Sequence, residues 1–236
     1  IFIEEPEAHL HPQMQSVFIR QLNRIRVMFE ATYNGGNAWP VQFVVTTHSS
    51  HIANEASFDA MRYFLARPRE TGSTILRTRS KDLRTGLSGE EPGNREFLHQ
   101  YMTLTRCDLL FADGAILVEG TTERLILPAA IGKFDEQNGS NIRGKYLSIM
   151  EVGGAYAHLF YNLVDFLDLR TLIVTDLDSV DAANNRTKCK VSGGTHSSNA
   201  SVNRWFDPDG GNSPTLAALL AKTDIEKSMG SRRIAY

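Results

Sequence analysis

The run Ala115-Ile116-Leu117-Val118-Glu119-Gly120-Thr121-Thr122-Glu123 changes character in its middle. Four apolar residues followed by an acid and a glycine read as a short buried strand turning into a helix. Downstream the alternation repeats, with a strand over 146–150, a helix over 155–168 and a strand over 171–175 that runs into Asp176-Leu177-Asp178. Together with a helix over 121–133 this is a βαβαβ block, and right-handed crossovers place its strands in one parallel sheet. The C-terminal strand ends of such a sheet share an edge where ligand sites collect. Glu119 and Glu123, four residues apart, share a helical face, so they converge with Asp176, Asp178 and the nearby Asp181 on one rim.

Carboxylates crowded together repel unless a cation neutralises them. Hard oxygen donors select Mg²⁺, Mn²⁺ or Ca²⁺ over zinc. Two such ions about 4 Å apart activate a nucleophile and steady a leaving oxygen in phosphodiester chemistry. A plainer reading exists, in which Glu119 and Glu123 are first-turn acids favoured by the helix dipole. Two acid pairs at strand ends of one block favour the metal.

Working outward toward the N-terminus, Ile1-Phe2-Ile3-Glu4 reads as the end of a buried strand. Beyond Pro12, apolar residues at Met14, Val17, Phe18, Leu22, Ile25, Met28 and Phe29 recur at helical spacing. Asn34-Gly35-Gly36-Asn37 ends that helix, and Val41–Val45 reads as a second strand, giving a parallel α/β unit. Short strands are expected over 61–66 and 74–78, a loop or linker over 80–94, and a helix over 95–105. Past the central block, 182–214 is rich in Asn, Ser, Gly and Thr and reads as a long surface loop, followed by a helix near 214–222 and a strand from Ile234.

The central block, Leu117-Val118-Glu119-Gly120 with Glu123 and then a strand ending Asp176-x-Asp178, resembles the Toprim domain of type IA and type II topoisomerases, primases and OLD (overcoming lysogenization defect) nucleases. The resemblance covers about 110–185 and implies that Glu119, Glu123, Asp176 and Asp178 are catalytic metal ligands. It makes Asp181 and Ser179 helpers, and Glu226 an acid for a second ion. Separately, Ile1-Phe2-Ile3-Glu4-Glu5-Pro6-Glu7-Ala8-His9-Leu10-His11-Pro12 resembles the Walker B segment of ABC-type ATPases. By position Glu4 orients Mg²⁺, although the family has Asp there, and Glu5 polarises the attacking water. Forty-three residues after Glu5, Val44-Val45-Thr46-Thr47-His48 resembles the switch-histidine segment, which places His48 near the γ-phosphate.

The expected architecture is therefore α/β, a partial ABC-type ATPase sheet over 1–80, a linker or helical connection over 81–106, and a Toprim βαβαβ parallel-sheet domain over 107–236. No G-x-x-x-x-G-K-[ST] phosphate loop occurs in the chain. The chain, which starts at Ile1, is expected to be a piece of a longer protein that binds ATP with Mg²⁺ only when the preceding half is present. An ATPase half joined to a Toprim block resembles OLD-family nucleases. That resemblance implies a DNA endonuclease or nickase using two Mg²⁺ or Mn²⁺ ions (Ca²⁺ is an alternative), coupled to an ABC-type ATPase. It further implies DNA as partner, a dimer or larger homo-oligomer, a helicase partner, a bacterial or phage-related setting, and a role in phage defence or DNA repair. Rival readings are a topoisomerase, which needs a tyrosine such as Tyr33, Tyr63 or Tyr101, a primase, and a non-catalytic DNA-clamping ATPase.

Composition bounds these readings. The 236 residues are 42% hydrophobic and 22% charged, a globular balance. No apolar run reaches the roughly 18 residues of a membrane span, and no basic stretch followed by a signal-type apolar run occurs, so neither a membrane-spanning role nor secretion is expected. Two cysteines, Cys107 and Cys189, exclude a disulfide scaffold and suit a reducing, cytoplasmic setting. The net charge of −2 conceals −3 over 1–61, +4 over 62–106, −7 over 107–185 and +4 over 186–236. An acidic block between basic flanks fits a cation site beside a polyanion track, and patchy surface charge fits it too. In the second flank Arg186, Lys188, Lys190 and Arg204 are candidates for DNA backbone contact, with Trp205 and Phe206 as stacking residues or as a loop anchor. His9 and His11 lack a zinc spacing and read as structural. Gly153-Gly154 reads as a tight β–α turn or a phosphate contact. Arg232 and Arg233 carry no assignment.

Overall fold

The computed structural model describes every residue except 39, 70–72, 90–91, 105–106, 154 and 212, and the side chains of 58, 92 and 104 are not described either. The chain forms two compact units, Ile1–Phe111 and Ala112–Tyr236.

In the first unit, β1 (Phe2–Glu4) pairs in parallel with β2 (Val44–Thr46), joined by α1 (Pro12–Tyr33). Pro12 supplies the fixed φ of a first helical position, and the His11 ring accepts from Gln13 N at 3.4 Å, so His11 caps α1. Gln15 is the buried residue of this helix; it bonds Leu10 O at 2.9 Å and accepts from Ser49. The expectation that residues 1–4 are buried is corrected. Among the described residues β1 has one hydrogen-bonded neighbour, and Phe2 is 86% exposed. After the one-turn helix α2 (Ser50–Ala53), β3 (Arg62–Pro68) and β4 (Leu76–Asp82) form an antiparallel hairpin.

The loop expected over 80–94 is partly replaced by structure. β4 runs through Asp82, whose carboxylate caps α3 (Leu83–Gly86) by accepting from Arg84 N at 2.9 Å. Leu83 and Leu87 anchor this turn in the core, and α4 (Pro92–Leu104) follows. Sparse apolar residues hid the turn because two buried leucines suffice to hold it.

The second unit is built on β5 (Gly114–Val118), buried at all five positions. α5 (Thr121–Asn138) follows and is closed by Gly139 in the left-handed conformation at φ 62°, which glycine adopts without a Cβ penalty. β6 (Leu147–Glu151) then leads through a 3₁₀ turn at Ala157–Phe160 into α6 (Tyr161–Phe166) and β7 (Arg170–Val174). The helix expected over 155–168 is thus shorter and starts with a 3₁₀ turn. Beyond β7 come β8 (Ser179–Asp181), β9 (Thr187–Lys188), β10 (His196–Ser197), α7 (Ala200–Phe206), α8 (Leu216–Leu220), β11 (Ser228–Met229) and β12 (Arg232–Ala235).

The main sheet has the order β11-β12-β7-β5-β6, with β12, β7, β5 and β6 mutually parallel and β11 antiparallel at the edge. From β5 the chain crosses to β6 on one side, then returns past β5 to β7 on the other. The crevice between the C-terminal ends of β5 and β7 is therefore a topological switch point, where α/β sheets bind ligands. Phe160, Leu163, Val164, Leu167, Val202 and Leu219 are fully buried in this unit, each side chain contributing roughly 2 kcal/mol of transfer free energy.

The surface loop expected over 182–214 is instead a folded segment. β9 and β10 flank β8 in a small antiparallel sheet, and α7 packs Val202 and Trp205 into the core. Its polar residues hold it through side chain–backbone bonds, such as Ala182 N to Thr195 Oγ1 at 2.8 Å. Such bonds leave no periodic apolar signal. Among the described residues no helix is long and apolar enough to cross a membrane.

Candidate active site

Val118 and Val174 end two neighbouring parallel strands, so Glu119 and Asp176 emerge side by side at the switch point. Glu119 Oε1 accepts from Asp176 N at 2.7 Å, from the Thr175 hydroxyl, and from Asn199 Nδ2 at 3.3 Å. Among the described residues all of these donors take Oε1 and none takes Oε2. Glu123, in the first turn of α5, reaches back to accept from Gly120 N at 3.1 Å. It thus fills the helix-start role that the plainer reading gave it.

Asp178 lies in the left-handed region at φ 45°, a conformation Asp tolerates better than most residues. Its carbonyl accepts from Ser198 N at 2.9 Å and Ser198 Oγ at 3.0 Å, which pins the turn. Lys188 Nζ lies 3.9 Å from Asp178 Oδ1. Burial, and then the charges of Glu119, Asp178 and Glu123, push the Asp176 carboxyl above its ordinary range. The other three acids thus lie close enough to Asp176 to act on it electrostatically.

The four acids offer only carboxylate oxygen, the hard donor type that Mg²⁺ and Mn²⁺ favour. Among the described residues no three His, Cys, Asp or Glu side chains close into a ready-made cage. Protein donors hold Glu119 and Glu123 through hydrogen bonds. Outer partners that hold one oxygen of a carboxylate, as these donors hold Glu119 Oε1, can aim the group at a cation. Beside the acids an open cavity of about 480 Å³ is lined by Asp176, Asp178, Ser179, Lys188, Lys190 and Tyr236, among others.

The other sequence candidates fall in different places. The Asp181 carboxylate accepts from Ala183 N at 3.0 Å. Ser179 Oγ lies 3.6 Å from Cys189 Sγ. Glu226 accepts from Lys222 Nζ at 2.7 Å and from Thr223 N and Oγ1 at 2.9 Å, and these bonds lower its carboxyl to about 2. Among the described residues its carboxylate is held by Lys222 and Thr223, just past the end of α8, and not by the strand-end acids. Trp205 is buried edge-to-face on Tyr161, with ring centroids 5.5 Å apart, so it is a core residue and not a base-stacking platform. Arg204 donates to Pro208 O, and Arg186 to Ser197 O at 3.5 Å, while Lys188 and Lys190 remain exposed by the cavity. Gly153 is in the left-handed region at φ 72°, as a tight turn needs; Gly154 lies outside the described residues.

Two site residues were missed in the sequence. Glu151 ends β6 and is paired with Arg124 at 3.2 Å and Thr121 Oγ1 at 3.1 Å. Its position, one strand over from Glu119, was the available signal. Asn199 was hidden in the supposed loop; an Asn before Ala200-Ser201-Val202 is a helix-cap signal that could have exposed it.

In the first unit Glu4 ends β1 opposite Thr46, and Glu5 follows in the left-handed region at φ 40°. His48 Nε2 lies 3.2 Å from Glu5 Oε1, so the candidate switch histidine and the candidate second acid are brought together. Glu7, missed in the sequence, ties the two strand ends: its Oε1 accepts from His48 N at 2.6 Å and Thr47 Oγ1 at 2.8 Å. Burial opposes ionisation of Glu7, but hydrogen bonds from backbone N–H groups and Thr47 outweigh it and hold the carboxyl low.

The two thiols should differ sharply. Burial, with the charge of Asp108, pushes Cys107 up to about 12, whereas Cys189 is exposed at the cavity. Because the thiolate is the reactive form, iodoacetamide at pH 8 should modify Cys189 in the native protein and Cys107 only after denaturation. Peptide mapping by mass spectrometry reads this directly, and native labelling of Cys107 would refute the burial argument.

Residues 110–178 match the family described as overcoming lysogenization defect protein-like, TOPRIM domain, and residues 1–53 match an AAA ATPase domain. The chain is 31% identical over 188 residues to Endonuclease GajA of Bacillus cereus (strain HuB5-5), a match covering 75% of this chain and 26% of that protein. It is 28% identical over 179 residues to the OLD nuclease of Thermus scotoductus (strain ATCC 700910 / SA-01), covering 75% and 30%. It is also 28% identical over 183 residues to the Old nuclease of Escherichia phage P2, covering 75% and 27%. The chain thus spans between a quarter and a third of the length of these relatives. With the strand-end acids on the sheet edge where the fold requires them, the chain carries an OLD-like TOPRIM domain preceded by an AAA ATPase segment, the arrangement of the OLD family.

Proposed function

We propose that this chain forms part of a divalent-metal-dependent DNA endonuclease or nickase. The observation that carries the reading is the Glu119–Asp176 contact at the switch point, where Asp178 and Glu123 add to the same negative field. Glu119, Glu123, Asp176 and Asp178 would hold two Mg²⁺ or Mn²⁺ ions, with Asp181 and Glu226 as further acids. Such ions supply an activated water and charge stabilisation at the scissile phosphate. The chain's own residues do the rest. Thr175 and the Asp176 N–H orient Glu119, the Ser198 bonds fix the Asp178 turn, and Lys188 and Lys190 offer cations to a phosphate backbone at the cavity rim. Backbone contacts of this kind position DNA without reading its sequence. In the intact protein Glu4, Glu5 and His48 would serve ATP with Mg²⁺, and the enzyme would act in the cytoplasm as a homo-oligomer, with a helicase as partner.

The test is conversion of supercoiled plasmid by the intact protein in Mg²⁺, Mn²⁺ or Ca²⁺, over a range of pH. Nicked or linear product should form with Mg²⁺ or Mn²⁺ and disappear in EDTA. Because the Asp176 carboxyl is raised, it takes up a proton at a higher pH than the ordinary value of about 3.9. Protons and the cation compete for this carboxylate, so metal binding should weaken as the pH falls. The metal-free protein behaves oppositely, since the repulsion that penalises it is present at high pH and relieved as Asp176 protonates. Cleavage that persists in EDTA would sink the metal reading.

A further inference from the structure

Asn199 is 1% exposed, yet it belongs to the acidic site and not to an apolar core. Its Oδ1 accepts from Ser201 N at 2.9 Å and Val202 N at 3.2 Å, capping α7. That assignment fixes the amide, because two N–H donors require an oxygen, so Nδ2 must point the other way. Nδ2 faces Thr175 Oγ1 at 2.8 Å, Asp176 O at 3.0 Å, Glu119 Oε1 at 3.3 Å and Asp178 Oδ2 at 3.5 Å. Two N–H bonds cannot serve four acceptors equally. The short contacts go to Thr175 and the Asp176 carbonyl, while the two carboxylates receive the positive edge of the amide. The preceding residue, Ser198, holds the Asp178 carbonyl through both its N–H and its hydroxyl.

We propose that Asn199 is a positioning residue of the acid site, a buried amide that joins the cap of α7 to Glu119 and Asp178 and sets the separation of these two carboxylates for a divalent cation. The inference rests on the metal reading above and adds a residue from outside the strand ends. The physical logic is that of an outer-shell partner. One fixed dipole lowers the cost of bringing two anions together, and its rigidity comes from the helix it caps. Loss of such a partner typically weakens metal binding by about 10- to 100-fold.

The experiment measures Mn²⁺ binding to the intact protein by electron paramagnetic resonance of free Mn²⁺, with the urea midpoint taken in EDTA. Asn199→Ser keeps a capping oxygen but cannot reach Glu119, and Asn199→Ala removes both functions. Both variants should bind Mn²⁺ about 10- to 100-fold more weakly, while Asn199→Ser keeps a urea midpoint near that of the parent. Binding within twofold of the parent in either folded variant overturns the proposal, and a fall in stability alone would mark Asn199 as only a cap. A parent protein that binds no Mn²⁺ overturns the metal reading first and this inference with it. Should both variants unfold, the parent decides: the ¹⁵N side-chain amide signal of Asn199 must shift on addition of Mg²⁺, and an unmoved signal refutes the proposal.

Discussion

Glu119→Gln is expected to lower metal-dependent plasmid cleavage by about a thousandfold, the scale on which removal of a principal electrostatic group acts, with little change in stability. Glutamine keeps the carbonyl oxygen that can accept from Asp176 N, Thr175 Oγ1 and Asn199 Nδ2. It replaces the other carboxylate oxygen with a nitrogen that cannot ligate a cation, and removes the charge. Glu119→Ala should lose at least as much activity and also leave those donors without their acceptor, at a cost of about 1–3 kcal/mol. The separation of activity from stability in the Gln variant is the informative result. It is read by single-turnover loss of supercoiled DNA in Mn²⁺ alongside urea denaturation. A Gln variant that cleaves within threefold of the parent would remove Glu119 from the reaction.

Arg232→Ala should destabilise the second unit by about 2–3 kcal/mol, from the loss of a charge-assisted bond and of stacking. The side chain is 8% exposed, its Nε donates to Asp165 Oδ1 at 2.7 Å, and its guanidinium lies 4.5 Å from the Tyr161 ring centre and 5.1 Å from that of Trp205. Asp165 is 43% exposed, so water takes over part of its bond and the loss stays below that of a fully buried pair. For a unit of this size the melting temperature should fall by roughly 8–12 °C. Arg232→Lys keeps the charge without the planar stack and should recover part of the loss. A calorimetric shift under about 2 °C for the alanine variant would show that the stack contributes little.

The acid pairs were legible because each sits directly after an apolar run, and a parallel sheet must bring such positions to one edge. Glu119, Glu123, Asp176 and Asp178 needed no more than strand order and handedness. Glu5 and His48 were singled out by resemblance to Walker B and switch-histidine segments, and the βαβ pair puts both just past strand ends. Asn199, Glu7 and Glu151 were not legible, because their importance lies in partners 40 or 41 positions away for Glu7 and 21 to 80 away for Asn199 and in an ion pair with Arg124 for Glu151. Trp205 was left open between base stacking and an apolar anchor for a related reason. An aromatic within a polar stretch looks exposed until Tyr161 and Arg232 are seen to enclose it.

By itself the sequence determined the alternation of strands and helices and the strand-end acids, since both follow from local periodicity and from where apolar runs stop. Only the tertiary structure decided which oxygen of Glu119 is held, that Glu123 also caps its helix, and that the segment after Asp178 folds back to clamp it through Ser198 and Asn199. Those outcomes depend on hydrogen bonds between residues distant in the chain. A buried polar group must find a partner wherever the fold supplies one, and no local pattern records which partner that is.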